Sequence, residues 1–276
     1  MKWLHFILSH SIFVAVCAVA LAFQTSQLLH YSVSVFVYGF IFFATLCSYN
    51  FYWVISRFSF SGRSGFFSAL KKDQTATIIL ALSAVGMIFC FMESALKFPP
   101  VIIAVLLTTL YSVPLLPFRF LHFTRKAGVL KTILLAFTWT YVTVLLVMQK
   151  DVVSLSNADI FILTRRFLFM LMLCIIFDNR DKAMDKIRGL RSLATDLRPS
   201  QLLVLIAVIF IILFGTNFLS VNYGISFSQS IALQTSTIAL LVVYFFSTRK
   251  QGYLFYYFMV DGLMLFSSLA TFIASI

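Results

Sequence analysis

The chain has 276 residues, of which 61% are hydrophobic and 11% charged, and a mean hydropathy of +1.00. A soluble domain carries about 25% charged residues, so the composition excludes a soluble enzyme or binding module and marks an integral membrane protein. The net charge of +12 reads as the Lys and Arg excess of cytoplasmic loops rather than as a nucleic-acid surface.

A spanning helix needs roughly 20 apolar residues. Nine candidate spans follow in order, near residues 5–23, 31–54, 75–95, 100–116, 128–148, 160–178, 200–219, 228–247 and 252–274. The expected fold is all-α: one polytopic helical bundle, residues 1–276, with no soluble domain. The first stretch, with its short basic start and small residues near Ala18–Ala22, also describes a signal peptide. A first membrane helix is the preferred reading. Cys17, Cys47, Cys90 and Cys174 each lie in an apolar run without a CxxC or nearby His, which predicts small buried thiols rather than a metal or disulfide framework.

The loops alternate in charge. Lys2, the loops near 55–74, 117–131 and 179–199, and Arg249-Lys250 together hold seventeen of the 21 basic residues. Lys97, Lys150, Arg165 and Arg166 fall to the other side. The positive-inside rule makes the basic side cytoplasmic, with the N-terminus inside and the C-terminus outside. That orientation of the remaining spans survives removal of the first.

Two stretches carry candidate chemistry. In FDNRDKAMDKIRG, residues 177–189, Asp178, Asp181 and Asp185 account for three of the nine acidic residues. They share a broad face if the sixth span continues as helix beyond the membrane. Three carboxylates on one stripe repel unless a cation lies among them. Hard oxygen ligands suit Mg²⁺, which is held by a few carboxylates plus substrate phosphates. The neighbouring Arg180, Lys182, Lys186, Arg188 and Arg191 suit a diphosphate. The competing reading is a solvated loop whose charges pair at helical spacing. The second stretch, residues 110–142, closes one apolar run at Tyr111-Ser112-Val113-Pro114 and passes Arg119, Arg125 and Lys126. It then restarts at Gly128, just before Lys131. Pro114 and Pro117 account for the helix stop.

Together these stretches resemble the UbiA superfamily of membrane prenyltransferases. That family has a YSxP segment followed by a basic loop and K-x-G, here Tyr111 to Pro114 and Lys126-Ala127-Gly128. About 60 residues later it has D-x-x-D-x-x-x-D-x-x-x-G-x-x-[ST]-L, here Asp178, Asp181, Asp185, Gly189, Ser192 and Leu193. The resemblance implies a helical bundle around a central cavity, closed at the cytoplasmic side by two aspartate-rich segments that hold Mg²⁺ and an isoprenoid diphosphate. It implies Asp178, Asp181 and Asp185 as catalytic metal ligands. It also implies Asn50, Arg57, Arg63, Tyr111, Arg119, Lys126, Arg180 and Lys186 at the substrate. The partners implied are a prenyl diphosphate, a lipophilic acceptor and membrane lipid.

The first aspartate-rich segment departs from the pattern. In SYNFYWVISRFSFSGR, residues 48–63, Asn50 fits the leading Asn, but Phe51, Val54 and Phe58 stand at the acidic positions. One acidic motif suffices for a single Mg²⁺, with Arg57 or Arg63 as a fixed cation in place of a second metal. A non-catalytic polyprenyl-lipid-binding protein derived from that fold is the alternative. A small-solute transporter is a further one, because Asp261 falls inside the last span, where a carboxylate is a functional candidate by default.

Overall fold

The computed structural model describes residues 2–60, 74–112, 128–150, 154–188 and 191–276. We number its helices α1 (Lys2–Ser9), α2 (Ile12–Leu28), α3 (Val35–Phe60), α4 (Gln74–Glu93) and α5 (Phe98–Ser112). Helix α6 runs Gly128–Thr140 and continues through a π-helical stretch, Tyr141–Leu145, to Leu146–Met148. Helices α7 (Asn157–Arg188), α8 (Leu193–Asp196), α9 (Pro199–Leu219) and α10 (Phe227–Ser247) follow. Helix α11 opens with a π-helical stretch, Phe255–Val260, and continues as Asp261–Ile273.

Seven of these helices are long and apolar enough to cross a membrane. The pair α1–α2 passes the same test together, bent by 68°. The remaining expected span falls on the shorter apolar helix Phe98–Leu110. The sequence reading took residues 5–23 as one straight helix. The bend instead sits at the polar Ser9-His10-Ser11 step, where Ser11 adopts φ 62°. Asn50 of α3 locks it, its Nδ2 donating to the His10 carbonyl (3.2 Å) and to Leu46 O (2.8 Å).

Helix α7 is the axis of the bundle. Every residue from Phe169 to Ile176 is buried, which is why this segment reads as an unbroken apolar run instead of an amphipathic one. Helix α4 is peripheral. Its Ile78, Leu82, Val85, Phe89 and Met92 form an exposed stripe at helical spacing, and lipid is the solvent for such a stripe. The bundle alternates direction. The C-terminal part of α7, the N-terminal part of α11 and the α1–α2 bend share one end, here termed the motif end. The α2 C-terminus, the start of α7, the end of α9 and the end of α11 share the far end.

Two glycines permit the tight α3–α4 pairing. A methyl group at Gly86 would stand 2.8 Å from the Phe43 ring, and one at Gly39 would stand 2.8 Å from Cys90 Sγ. Small residues at such crossings allow close backbone approach in lipid. Gly86→Val, by forcing overpacking, is expected to cost about 1–3 kcal/mol. A lowered thermal unfolding midpoint in detergent, against an unchanged midpoint for an exposed change such as Val85→Ala, measures it.

Candidate functional site at the motif end of the bundle

The sequence expectation that the sixth span continues as helix past its apolar run is met: α7 extends to Arg188, placing Asp178, Asp181 and Asp185 on one continuous helix. Asp178 is half-buried and accepts a 2.5 Å hydrogen bond from Thr132 Oγ1 on α6. Thr132 Oγ1 also receives the Leu193 backbone N–H (3.4 Å), so α6, α7 and α8 are tied at one atom. The turn that starts α8 is closed by Ser192 N donating to Thr195 Oγ1 (2.7 Å). The Ser-Leu end of the motif thus folds back beneath Asp178, with Leu193 in the core. Thr132→Val removes a donor from the half-buried Asp178 carboxylate, a loss of about 1–3 kcal/mol. It should appear as a lower unfolding midpoint together with faster hydrogen exchange at the α7–α8 junction.

Asp185 is buried and lies two turns further on, an electrostatic neighbour of Asp178. Asp181 is turned to Arg180, whose Nε and Nη2 each donate to it at 2.7 Å. The Arg180 guanidinium is boxed by aromatic rings, 4.9 Å from the centroid of Phe177, 5.4 Å from Tyr256 and 5.1 Å from Tyr257. The last two come from the π-helical stretch of α11, a departure from α geometry that recurs at functional sites. The column continues outward by stacking of Tyr257 on Tyr253 (4.3 Å) and Tyr253 on His5 (5.3 Å). Burial and the neighbouring Tyr257 and Asp261 push the Tyr253 phenol up. One nitrogen of Arg180, Nη1, is buried without a hydrogen-bond partner among the described residues.

Asp261 joins this end of the molecule. It begins the α-helical part of α11 and is 8% exposed, and its electrostatic neighbours include Arg180, Tyr49, Cys174 and Cys17. Tyr49 precedes Asn50 on α3 and packs edge-on against Trp139 of α6 (6.3 Å). It lies deep in the bundle among Trp139, Asp261 and Cys174, yet is 38% exposed. Tyr49 thus joins α3 to α6 beside Asp261 of α11 and Cys174 of α7.

The positions that sequence reading proposed separate into three groups. Asp178, Asp181, Asp185 and Arg180 come together on α7. Asn50 is buried and its amide is engaged at the α1–α2 bend. Arg63, Arg119 and Lys126 lie outside the described residues, and of Arg57, Tyr111 and Lys186 only the helical backbone is described. Where the family pattern calls for an acid, Val54 is buried in the core. Among the described residues no three His, Cys, Asp or Glu side chains form a metal-holding group. Thr132, Tyr49, Tyr256 and Tyr257 escaped the sequence reading. Only the double Tyr beside Asp261 gave a local signal.

At the far end, the two arginines that sequence reading counted with the outer loops lie inside α7. Arg165 is 2% exposed and Arg166 1%. The apparent loop charge is buried because each guanidinium is hydrogen-bonded across the bundle. Nearby, Tyr31 Oη donates to Asp159 Oδ1 (2.7 Å), while Lys150 donates to Tyr31 and to Asp159 Oδ2 (2.9 Å). Those bonds hold the Lys150 ammonium above its ordinary range.

No protein-family model and no curated protein match the sequence. Solved structures do match the fold. A UbiA homologue from Aeropyrum pernix K1, in its apo form, aligns with a TM-score of 0.61 at 13% identity, covering 96% of this chain and 97% of that one. A digeranylgeranylglyceryl phosphate synthase aligns with a TM-score of 0.57 at 14% identity, covering 100% and 99%. The likeness runs end to end, so the expected all-helical polytopic bundle is found: the chain has the UbiA fold.

Proposed function

We propose that the protein is a membrane prenyltransferase that binds an isoprenoid diphosphate at the motif end and transfers its chain to a lipophilic acceptor. The observation that carries this reading is that Asp178, Asp185, the caged Arg180 and Asp261 gather at one end of the bundle as electrostatic neighbours, with Asp185 and Asp261 buried. The fold adds support, because one structure that shares it is a digeranylgeranylglyceryl phosphate synthase.

The donor set fits one Mg²⁺ completed by substrate rather than a preformed cage. Asp178 and Asp185 lie on one helix face about 10 Å apart along the axis, so they would meet one Mg²⁺ through its waters and the substrate phosphates, which usually complete this ion's shell. Asp181 is paired with Arg180, and α3 offers Val54 in place of an acid. When bound there, the ion would neutralise charge on the departing diphosphate.

The chain's own residues do the rest. Arg180 Nη1 is the free donor for the diphosphate, a charge-assisted contact of the stronger kind. Thr132 fixes the Asp178 carboxylate so that it meets the diphosphate in one orientation. Tyr49, Trp139, Tyr256 and Tyr257 line a wall that excludes water and presents ring faces to developing positive charge. Asp261, on α11, places a carboxylate near the side where α3 lacks the family's acids. On this reading the N-terminus and the diphosphate site face the cytoplasm, where the basic loops belong.

A second reading is favoured by one observation, the buried Val54: a descendant that binds a polyprenyl diphosphate without ionising it. Purified protein incubated with labelled geranyl, farnesyl and geranylgeranyl diphosphates separates the two. Mg²⁺-dependent diphosphate release supports the transferase. Saturable binding without release supports the descendant, and neither binding nor release sinks both.

A further inference from the structure

Arg165 and Arg166 are consecutive residues of α7, roughly 12 Å along the helix from its first turn, and both are buried. A charge at that depth is costly and marks a functional site by default. Their side chains diverge. Arg165 Nε donates to Asn217 Oδ1 on α9 (2.7 Å), and Asn217 Nδ2 in turn donates to Gln234 and Thr237 of α10. Arg166 Nη2 donates to Gln24 Oε1 (2.8 Å) and Leu21 O (3.0 Å) of α2, and Gln24 donates onward to Ser267 and Thr271 of α11.

Every protein partner in this belt is neutral. A guanidinium keeps its proton in proteins, so two like charges stand side by side with no carboxylate bonded to either among the described residues. The acid nearest to them along the same helix, Asp159, is taken by Lys150, Tyr31 and the Ser156 N–H. Each guanidinium also keeps one donor unused: Arg165 Nη2 and Arg166 Nη1 are buried and have no hydrogen-bond partner among the described residues. An uncompensated buried charge costs several kcal/mol, and two orphaned donors add to it. A cavity of about 260 Å³ between α7 and α9 is lined by Asn157, Ile160, Phe161, Thr164, Thr216 and Tyr223. Neither arginine lines it, but Thr164 and Thr216 directly precede Arg165 and its partner Asn217 in the chain.

We propose that Arg165, with the Arg166 charge beside it, binds a phosphate-type oxyanion on the α9 side of the far end, a site separate from the diphosphate site. The planar fork of a guanidinium suits such an anion better than an ammonium would. The oxyanion is either free phosphate or the headgroup of an anionic phospholipid whose chains lie on the apolar outer face of α9. The site does not depend on the prenyl-transfer reading.

Thermal unfolding of the full chain in an uncharged detergent tests it at constant ionic strength. One arm replaces gluconate with inorganic phosphate; the other replaces phosphatidylcholine with phosphatidylglycerol in mixed micelles. Binding predicts a rise of roughly 5–10 °C at a hundredfold excess over Kd in one arm, and the responding arm names the source. The rise should vanish in Arg165→Gln. Should that variant not fold, Arg165→Lys keeps the charge without the fork and should need about tenfold more ligand. No rise in either arm for the parent, or an equal rise in the variants, overturns the site.

Discussion

Asp178→Ala is expected to lower Mg²⁺-dependent diphosphate release by roughly 10²–10³-fold, with the protein still folded. Asp178 is the acid held in place by another helix, through Thr132 on α6, so its loss removes an oriented carboxylate and not merely a charge. Asp185→Ala should fall in the same range if the two, on one helix face, serve the same ion as proposed. Asp181→Ala should cost less. Its carboxylate already answers Arg180, and removing it frees that guanidinium for the diphosphate. Steady-state diphosphate release for the three variants, beside circular dichroism to establish folding, gives the ranking. Equal losses at all three positions would mean that Asp181 also serves the ion directly.

The second large effect is at Arg180. Arg180→Gln removes the caged cation proposed to meet the diphosphate, and kcat/KM for the prenyl diphosphate should fall about 10²-fold. Arg180→Lys should recover little. An ammonium does not reproduce the fork that holds Asp181 with two nitrogens while offering a third. Kinetics of both variants, with geranylgeranyl diphosphate as donor, decide this. Full activity of the lysine variant would reduce Arg180 to a point charge. An unchanged kcat/KM in the glutamine variant would remove it from the diphosphate site.

Much of the fold was legible because its signals are local. Run length and loop charge located the helices, and the three-, four- and seven-residue spacing of Asp178, Asp181 and Asp185 required only that α7 stay helical. The bend at Ser11 was missed: the first span was expected as one piece over 5–23, and the polarity of Ser9-His10-Ser11 does not by itself give a 68° break. What escaped depends on partners far along the chain. Thr132 lies 46 positions before Asp178, and nothing near residue 132 announces it. Arg165 and Arg166 fall within the expected span 160–178 and were assigned to the outer side by charge alone, since nothing local says that they are buried. The residues that accept them, Asn217 and Gln24, lie 52 and 142 positions away. Asp261 was conspicuous as an intramembrane acid, yet its neighbours Arg180 and Tyr49 become apparent only once α3, α7 and α11 are packed. The missing acids of α3 were visible from the start, and the structure shows what stands there instead, a buried valine at position 54.

The most direct measurement is an experimental density map of the full chain with Mg²⁺ and a non-hydrolysable thiolo analogue of geranylgeranyl diphosphate. The expected map has one ion against Asp178 and Asp185, the diphosphate within hydrogen-bond reach of Arg180 Nη1, and the chain running past Tyr49. An analogue seated elsewhere, with Asp178 and Asp185 turned away from any ion, would contradict the account.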